Sequence, residues 1–481
     1  MLDVAVIGAG PAGLAAATLA AERGLSVSLY DEQGSAGGQV YRGVTASPLA
    51  QAGVLDADYW AGAALVRTCE RSGARYVPRA TVWSLARGED GTYRLGITAG
   101  LAGARHTIEV TARAVILATG ALERPMPIPG WTLPGVLLAG GAQGLLKSAG
   151  VVPRGRTVLA GCGPLLWLLA AQYLRAGVAI DALLDTTPRG RLAQVLRHAP
   201  AFLRSPYFTQ GLALVRSVRR RVRVVEYVSA LAIEGGQQVT GVRYAVDGKA
   251  QSLPADVVLL HQGVVPDVAL ASATGCALEW DAAQACFRPV VDEWGGTSLP
   301  GLYVAGDGAG IAGAEAAPLR GRLAALAVAN ACGTLKSGAR DDLARPLRAA
   351  LDAALRGRAF IDALYRPARM WRVPAGETIA CRCEEVTAQA IAAAARDGAS
   401  GPNQAKAYTR CGMGPCQGRY CALTVTEILA QAQGRTPADV GYLRARFPVK
   451  PVALGELAAM PVSPDALAAV YREGSGRGST H

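Results

Sequence analysis

Asp3-Val-Ala-Val-Ile-Gly-Ala-Gly-Pro-Ala-Gly13 opens the chain with an apolar run that ends in a glycine turn. Leu14 to Glu22 is rich in alanine and leucine and reads as a helix broken at Gly24. Ser26 to Tyr30 reads as the next strand and ends in Asp31-Glu32. Strand, glycine turn, helix, strand and acid, in that order, make a nucleotide-binding unit. Gly8 permits the tight turn out of the strand, Gly10 lets backbone approach a diphosphate, and Gly13 lets helix and strand pack closely. Pro11 and Ala12 complete the turn and open the helix, whose free N–H groups and dipole favour an anion. Asp31 lies 18 residues beyond Gly13, near the spacing of an acid that bonds ribose hydroxyls, and Glu32 is the neighbour able to take that role.

Three further pieces favour FAD over NAD at this unit. Gly37-Gly38-Gln39 follows the second strand and can bring the chain close to phosphates. Ala118-Thr119-Gly120 ends the strand begun at Ala114. Val304-Ala-Gly306-Asp307 ends another, with Asp307 placed to bond a ribitol hydroxyl, and the helix over 315–333 would aim its positive end at a flavin. Between these pieces, the polar stretch Arg87 to His106 with its Asp90-Gly91 turn reads as a small antiparallel sheet.

The layout recurs from Thr157: Val158-Leu-Ala is the strand, Gly161-Cys-Gly-Pro164 the turn, Leu165 to Leu174 the helix, and Val178 to Leu184 the second strand, ending at Asp185. Leu166 stands where Gly or Ala normally allows close packing. This second turn therefore reads equally as a weak NAD(P)H site, a mononucleotide site or a turn with no ligand. No Cys-x-x-Cys or Cys-x4-Cys lies between residues 36 and 161, which disfavours a dithiol reductase. Cys69, Cys162, Cys276, Cys286 and Cys332 are isolated and read as small buried apolar residues.

The other five of the ten cysteines lie in the segment 376–435: Cys381-Arg-Cys383, then Cys411-Gly-Met-Gly-Pro-Cys416-Gln-Gly-Arg-Tyr-Cys421. Short spacing inside each group suits a four-cysteine metal site, [2Fe–2S] or structural zinc, with a free-thiol cluster as the remaining reading, and a neighbouring flavin favours iron. Gly412, Gly414 and Gly418 let backbone N–H groups turn toward sulfur. Cys411/Cys416 and Cys416/Cys421 are both Cys-x4-Cys pairs, so spacing alone does not choose among them.

Composition sets the bounds. The chain has 481 residues, 51% hydrophobic and 18% charged, which excludes disorder and allows several domains. Net charge is +12, yet the arginines are scattered and aromatics few, which argues against nucleic acid. The run from Arg216 to Arg223 reads as a solvated face or an intersubunit contact. An apolar strand at Val4 leaves no room for a signal peptide. The uncharged stretches 125–146 and 157–174 are broken by proline and glycine and are not read as membrane spans. The expected location is cytoplasmic, or peripheral at the inner face of the membrane through an acceptor. His106, His198, His261 and His481 are scattered and form no convincing constellation for proton abstraction.

Gly8 to Gly13, Gly38-Gln-Val-Tyr-Arg42, Pro134-Gly-Val136, Cys381-Arg-Cys-Glu-Glu-Val-Thr387 and Thr409-Arg-Cys-Gly-Met-Gly-Pro-Cys-Gln-Gly-Arg419 together resemble the alpha subunit of multi-subunit bacterial amine dehydrogenases. That family includes opine oxidases, dye-linked proline and D-hydroxyproline dehydrogenases, and the hydrogen cyanide synthase B subunit. The resemblance runs from residue 3 to about 455, and the cysteine module is similar to the bacterioferritin-associated ferredoxin type. It implies Cys381, Cys383, Cys416 and Cys421 as the ligands of a [2Fe–2S] cluster, with Cys411 outside the family pattern. It also implies an FAD- and [2Fe–2S]-bearing electron-relay subunit. Amine oxidation would fall to a beta subunit with its own flavin, and a small ferredoxin-like subunit often accompanies it.

The expected fold is α/β, a flavoprotein with two Rossmann-like dinucleotide-binding domains and a small C-terminal [2Fe–2S] domain. The expected boundaries are 1–135 with 250–335 for the FAD domain and 136–249 for the second nucleotide-type domain. A helical linker follows at 336–375, the four-cysteine domain at 376–435, and a tail at 436–481. The competing functional reading is a self-contained NAD(P)H-dependent FAD/Fe–S oxidoreductase.

Overall fold

A computed structural model describes residues 1–50, 52–101, 103–460, 462 and 467–468. The glycine-rich stretch 474–480, expected as a loose tail, and His481 lie outside the described residues.

The first sheet has seven strands. Leu2–Ile7 sits between Val27–Tyr30 and His106–Leu117, parallel to both; Arg75–Val77 extends one edge, and Leu302–Val304 pairs parallel with His106–Leu117. Register brings Ile7, Tyr30, Leu117 and Val304 to one level, so the segments after them leave the sheet side by side. Strand side chains alternate: Val4, Val6 and Ile116 pack into the core beneath the helices, whereas Ala5, Ile7, Val115 and Leu117 face the opposite core. The polar stretch after Arg87 forms an antiparallel meander, Ala80–Arg87 and Tyr93–Ala99 pairing onto the long strand His106–Leu117. It is continuous with the parallel sheet.

Helix Pro11–Glu22 packs on helix Ala316–Ala331 at backbone distance, since a Cβ at Gly321 would overlap the Ala12 carbonyl oxygen. Alanine-rich faces allow this approach and favour helix in their own right.

The second sheet is all parallel, in the order Val224–Val225, Ile180–Asp185, Thr157–Cys162, Val257–Gln262 and Val136–Leu138. The expected grouping of 250–262 with the first unit does not hold for this strand. Val257–Gln262 is hydrogen-bonded between two strands of the second sheet, where its apolar run is buried on both faces. The chain returns to the first unit only at Val264–Pro266, which pairs antiparallel with Ala121–Glu123. The α/β expectation with two dinucleotide-type units is borne out.

Beyond residue 336, helix Ser337–Leu355 is followed by Arg358–Leu364 and Arg369–Arg372. The cysteine module builds a two-stranded ribbon, Ile379–Cys381 with Val386–Thr387, and helices Ala388–Arg396, Pro402–Thr409 and Ala422–Gln433. Thr387 caps the first of these, its hydroxyl accepting from the Ala390 N–H at 3.2 Å. Residues 441–450, placed in the tail by sequence, run back onto the first unit, where the Val449 N–H donates to the Trp83 carbonyl at 2.9 Å. Among the described residues no helix is long and apolar enough to cross a membrane.

Candidate cofactor sites

The carboxyl edge of the first sheet gathers the thirteen residues expected there. Gly8 has φ +104° and a Cβ on it would crowd the Ala118 carbonyl; one on Gly13 would overlap the Gly8 carbonyl oxygen. Both positions therefore exclude any side chain. Gly38, at φ +61°, crosses directly over Gly10, and a Cβ on it would lie 2.7 Å from the Gly10 Cα. Two backbones thus meet above the N-terminus of helix Pro11–Glu22 with no side chain between them. The Gly306 turn rests on the same helix, where an added Cβ would come 2.8 Å from the Ala12 Cβ.

The acids are held in different ways. Asp31 is buried, its Oδ2 accepting from the Ala9 N–H at 2.6 Å and its Oδ1 from the Gln33 N–H at 2.7 Å. Burial raises its pKa, and these two N–H donors oppose the rise without cancelling it. Burial acts on Glu32 in the same sense, but its ion pair with Lys450 outweighs that, and its carboxyl is held below the ordinary range. Asp307 Oδ1 accepts from the Ala312 and Gly313 N–H groups at 2.8 and 2.9 Å, so it fixes its own turn. Thr119 donates through Oγ1 to the Asp267 carbonyl at 3.1 Å, tying the Thr119-Gly120 turn to the segment beyond Pro266.

Three residues at this edge were not among the expected site residues, although Arg42 closes one of the quoted motifs. Lys147 is buried and donates through Nζ to the carbonyls of Gln39 and Val40 at 3.2 and 2.9 Å. Burial pulls its ammonium down to about 8. Arg42 links Gln39 to Gln33 through Oε1 of each, at 3.1 and 2.9 Å. Arg320 donates to the Gly310 carbonyl at 2.6 Å and to that of Gly306 at 3.2 Å. A lone lysine in the apolar, glycine-rich stretch 139–149 is the one signal that could have found the first.

The second glycine turn is built differently. A Cβ at Gly161 would overlap the His261 carbonyl oxygen, and one at Gly163 would lie 3.0 Å from His261 Nε2. His261 Nδ1 is 2.6 Å from Glu123 Oε1, and Glu123 Oε2 accepts from the Gly140 N–H at 2.7 Å. Leu166 is fully buried in the core. Cys162 Sγ contacts Gln262 Oε1 at 3.2 Å and donates toward the Tyr365 carbonyl at 3.5 Å, while Gln262 donates to Thr186 Oγ1 at 2.9 Å. Burial pushes the Cys162 thiol up to about 12. Tyr365 ends helix Arg358–Leu364, which is moored to this unit by the stacked rings of Phe202 and Phe360, 4.1 Å apart. The linker therefore crosses the carboxyl edge of the second sheet, over the turn.

In the cysteine module the sulfurs of Cys381, Cys411 and Cys421 all lie within 4.8 Å of one another, and all three residues are buried. Cys416 reaches both Cys421 and Cys383 through its side chain. Cys383 is exposed, against Gly414. Thiol donors Cys411 and Cys421, helped by the N–H groups of Gly412 and Glu384, draw Cys381 down to about 2. Cys421, with the N–H groups of Tyr420 and Gly418, draws Cys416 to about 5. Cys381 and Cys416 are thus drawn toward the thiolate, the form that binds metal, while their thiol donors Cys411 and Cys421 are pushed the other way. Leu443 packs on this loop, its Cδ2 3.0 Å from where a Gly412 Cβ would stand and closer still at Gly418. The Trp131 indole donates to the Ile379 carbonyl at 2.7 Å, joining the module to the second unit.

Comparison with known proteins adds the following. Residues 2–331 match the pyridine nucleotide-disulphide oxidoreductase family and residues 377–461 the sarcosine oxidase A3 domain. The chain is 49% identical over 472 residues to the A subunit of opine oxidase from Agrobacterium tumefaciens (strain Ach5), covering 97% of this chain and 93% of that one. It is 34% identical to hydrogen cyanide synthase subunit HcnB of Pseudomonas protegens, across 94% and 96% of the two chains. Among solved structures, L-proline dehydrogenase from P. horikoshii superposes with a TM-score of 0.68 at 22% identity, over 95% of this chain and 79% of that one, a likeness of fold.

Proposed function

The chain belongs to the pyridine nucleotide-disulphide oxidoreductase family and to that of the opine oxidase A subunit, and from this premise we propose that it is an electron-relay subunit of a heteromeric dehydrogenase. It carries FAD at the first glycine edge and [2Fe–2S] in the cysteine module. Its complex oxidises an amino acid, an imino acid such as proline or D-hydroxyproline, or an opine, on a partner subunit that holds its own flavin. A small ferredoxin-like subunit completes the assembly, which works in the cytoplasm.

The observation that carries this reading is the pairing, in one chain, of a side-chain-free backbone crossing at Gly10 and Gly38 with a buried group of mutually close thiols. The first brings two backbones together without side chains at a helix N-terminus, whose free N–H groups suit a diphosphate; the second is a soft donor set suited to iron and sulfide. FAD supplies two-electron acceptance and one-electron release, and the cluster supplies single-electron transfer. Gly8, Gly10, Pro11, Ala12 and Gly13 take the diphosphate with Gly38 and Gln39 above it. Asp31 or Glu32 takes the ribose; Thr119, Gly120, Gly306 and Asp307 border the flavin half. Cys381, Cys383, Cys416 and Cys421 hold the irons; the N–H groups of Gly412 and Glu384 favour the Cys381 thiolate and those of Tyr420 and Gly418 the Cys416 thiolate.

Relatives carry the partner argument, since the matching chains of opine oxidase and hydrogen cyanide synthase are each named as subunits. The competing reading, a self-contained NAD(P)H-dependent reductase, needs an open second turn, and Tyr365 lying across Cys162 speaks against it. The test is co-production with the partner subunits, a visible spectrum with iron, sulfide and flavin assays, and a dye-reduction screen of imino-acid and opine donors. FAD and an iron–sulfur spectrum on this chain, with donor-dependent dye reduction by the complex, are expected. A colourless chain within the intact complex overturns the proposal.

A further inference from the structure

Five thiols converge in the cysteine module, and they divide unequally. Cys381, Cys411 and Cys421 form a buried trio with sulfurs within 4.8 Å of one another. Cys383 and Cys416 form a pair, joined to the trio through the contact of Cys416 with Cys421. A two-iron cluster takes two thiolates on each iron. The trio therefore offers one sulfur more than an iron needs, and the pair offers none to spare.

We infer that Cys411 is a reserve ligand for the iron held by Cys381 and Cys421, so that the cluster tolerates loss of a sulfur on that side alone. This rests on the [2Fe–2S] reading above. The backbone supports it. Cys411 is delivered by the same glycine-rich loop as Cys416 and Cys421, and Leu443 clamps that loop at both Gly412 and Gly418. The fold thus holds its sulfur within 4.8 Å of those of Cys381 and Cys421. Cys383, by contrast, is exposed and lies against Gly414, with Cys416 as its thiol partner. The exchange balances simply. Where Cys421 is absent, one iron–sulfur bond is missing; Cys411 gives its proton to solvent and its thiolate makes that bond. Ligand count, iron valence and cluster charge are unchanged.

The experiment uses the full chain with its partner subunits, prepared anaerobically. It reads iron and sulfide content, the visible spectrum, and the electron paramagnetic resonance of the dithionite-reduced cluster. Cys411→Ala is expected to match wild type. Cys421→Ala and Cys381→Ala are expected to keep iron and sulfide near wild type with shifted g values, and Cys421→Ala/Cys411→Ala to lose both. Cys383→Ala and Cys416→Ala are expected to lose the cluster singly, although Cys411 is present. Retained FAD and an unchanged far-ultraviolet circular dichroism spectrum separate ligand loss from misfolding. Loss of iron in Cys421→Ala as complete as in the double variant overturns the inference. So does loss in Cys411→Ala alone, which would make Cys411 a primary ligand, or retention in Cys383→Ala. Wild-type protein holding zinc or no metal overturns the relay reading itself, an outcome visible before any variant is made.

Discussion

Gly38 and Lys147 act on the same short loop, one by lacking a side chain and the other by burying one. In Gly38→Ala the new Cβ would stand 2.7 Å from the Gly10 Cα, on a backbone at φ +61°. Left-handed strain of about 1–2 kcal/mol follows, and the two backbones must separate. Chemical denaturation should show that loss, and purified protein should carry less flavin than wild type. Lys147→Met leaves the Gln39 and Val40 carbonyls without their donor and should cost about 1–3 kcal/mol. Its pH dependence is distinctive. The buried ammonium titrates near 8 against an ordinary value of 10.5, so between these values the unfolded chain binds more protons. Stability contributed by this residue rises with pH across that window and is lowest below it. Urea titrations at pH 7 and pH 10 should show the rise in wild type and not in Lys147→Met. The glycines were legible because their spacing is the chemistry itself. Lys147 was not, since its partners lie 107 and 108 residues away and no local pattern ties an interior lysine to distant carbonyls.

At the scale of elements, one segment read as a linker and one read as a tail do more than that. The helix ending at Tyr365 lies across Cys162 and is pinned by the Phe202–Phe360 stack. NADH added anaerobically to the purified flavoprotein should therefore leave the flavin band unbleached, and a thiol reagent should leave Cys162 unmodified until the chain unfolds. Rapid bleaching would restore the competing reading. The other segment is the strap 441–450. Leu443 is buried under the cysteine loop, so Leu443→Ala should cost about 2–4 kcal/mol and speed iron loss to a chelator. Strand, turn and helix periodicity identified both glycine units. The strap carries no such periodicity. Its prolines look like those of a loose end, and its value lies wholly in what it touches: Trp83, Ser272 and Glu32.

Across the whole molecule, the chain visits the first sheet, builds the second, returns, crosses the second again through the linker, forms the cysteine module, and comes back to the first through the strap. Multidomain proteins with bound cofactors commonly unfold in stages, but here each unit is tied to the others by contacts such as Trp131 to Ile379 and Val449 to Trp83, so thermal melts followed by flavin fluorescence and by cluster absorbance should share one midpoint. Two separate midpoints would show that the ties are weaker than their burial suggests. The architecture was readable because two copies of one layout stood about 150 residues apart. The edge between them was not, because Val257–Gln262 is an apolar strand that suits either sheet, and only hydrogen-bond partners decide which.

The first sheet closes late: Leu302–Val304 joins His106–Leu117 after the second unit has been threaded through as a passenger. A nascent polypeptide leaves the ribosome at roughly 5–20 residues per second, so the N-terminal strands wait many seconds for that closing partner while the passenger completes itself. During that interval one margin of a nearly finished sheet stands bare, and a chaperone would guard it best.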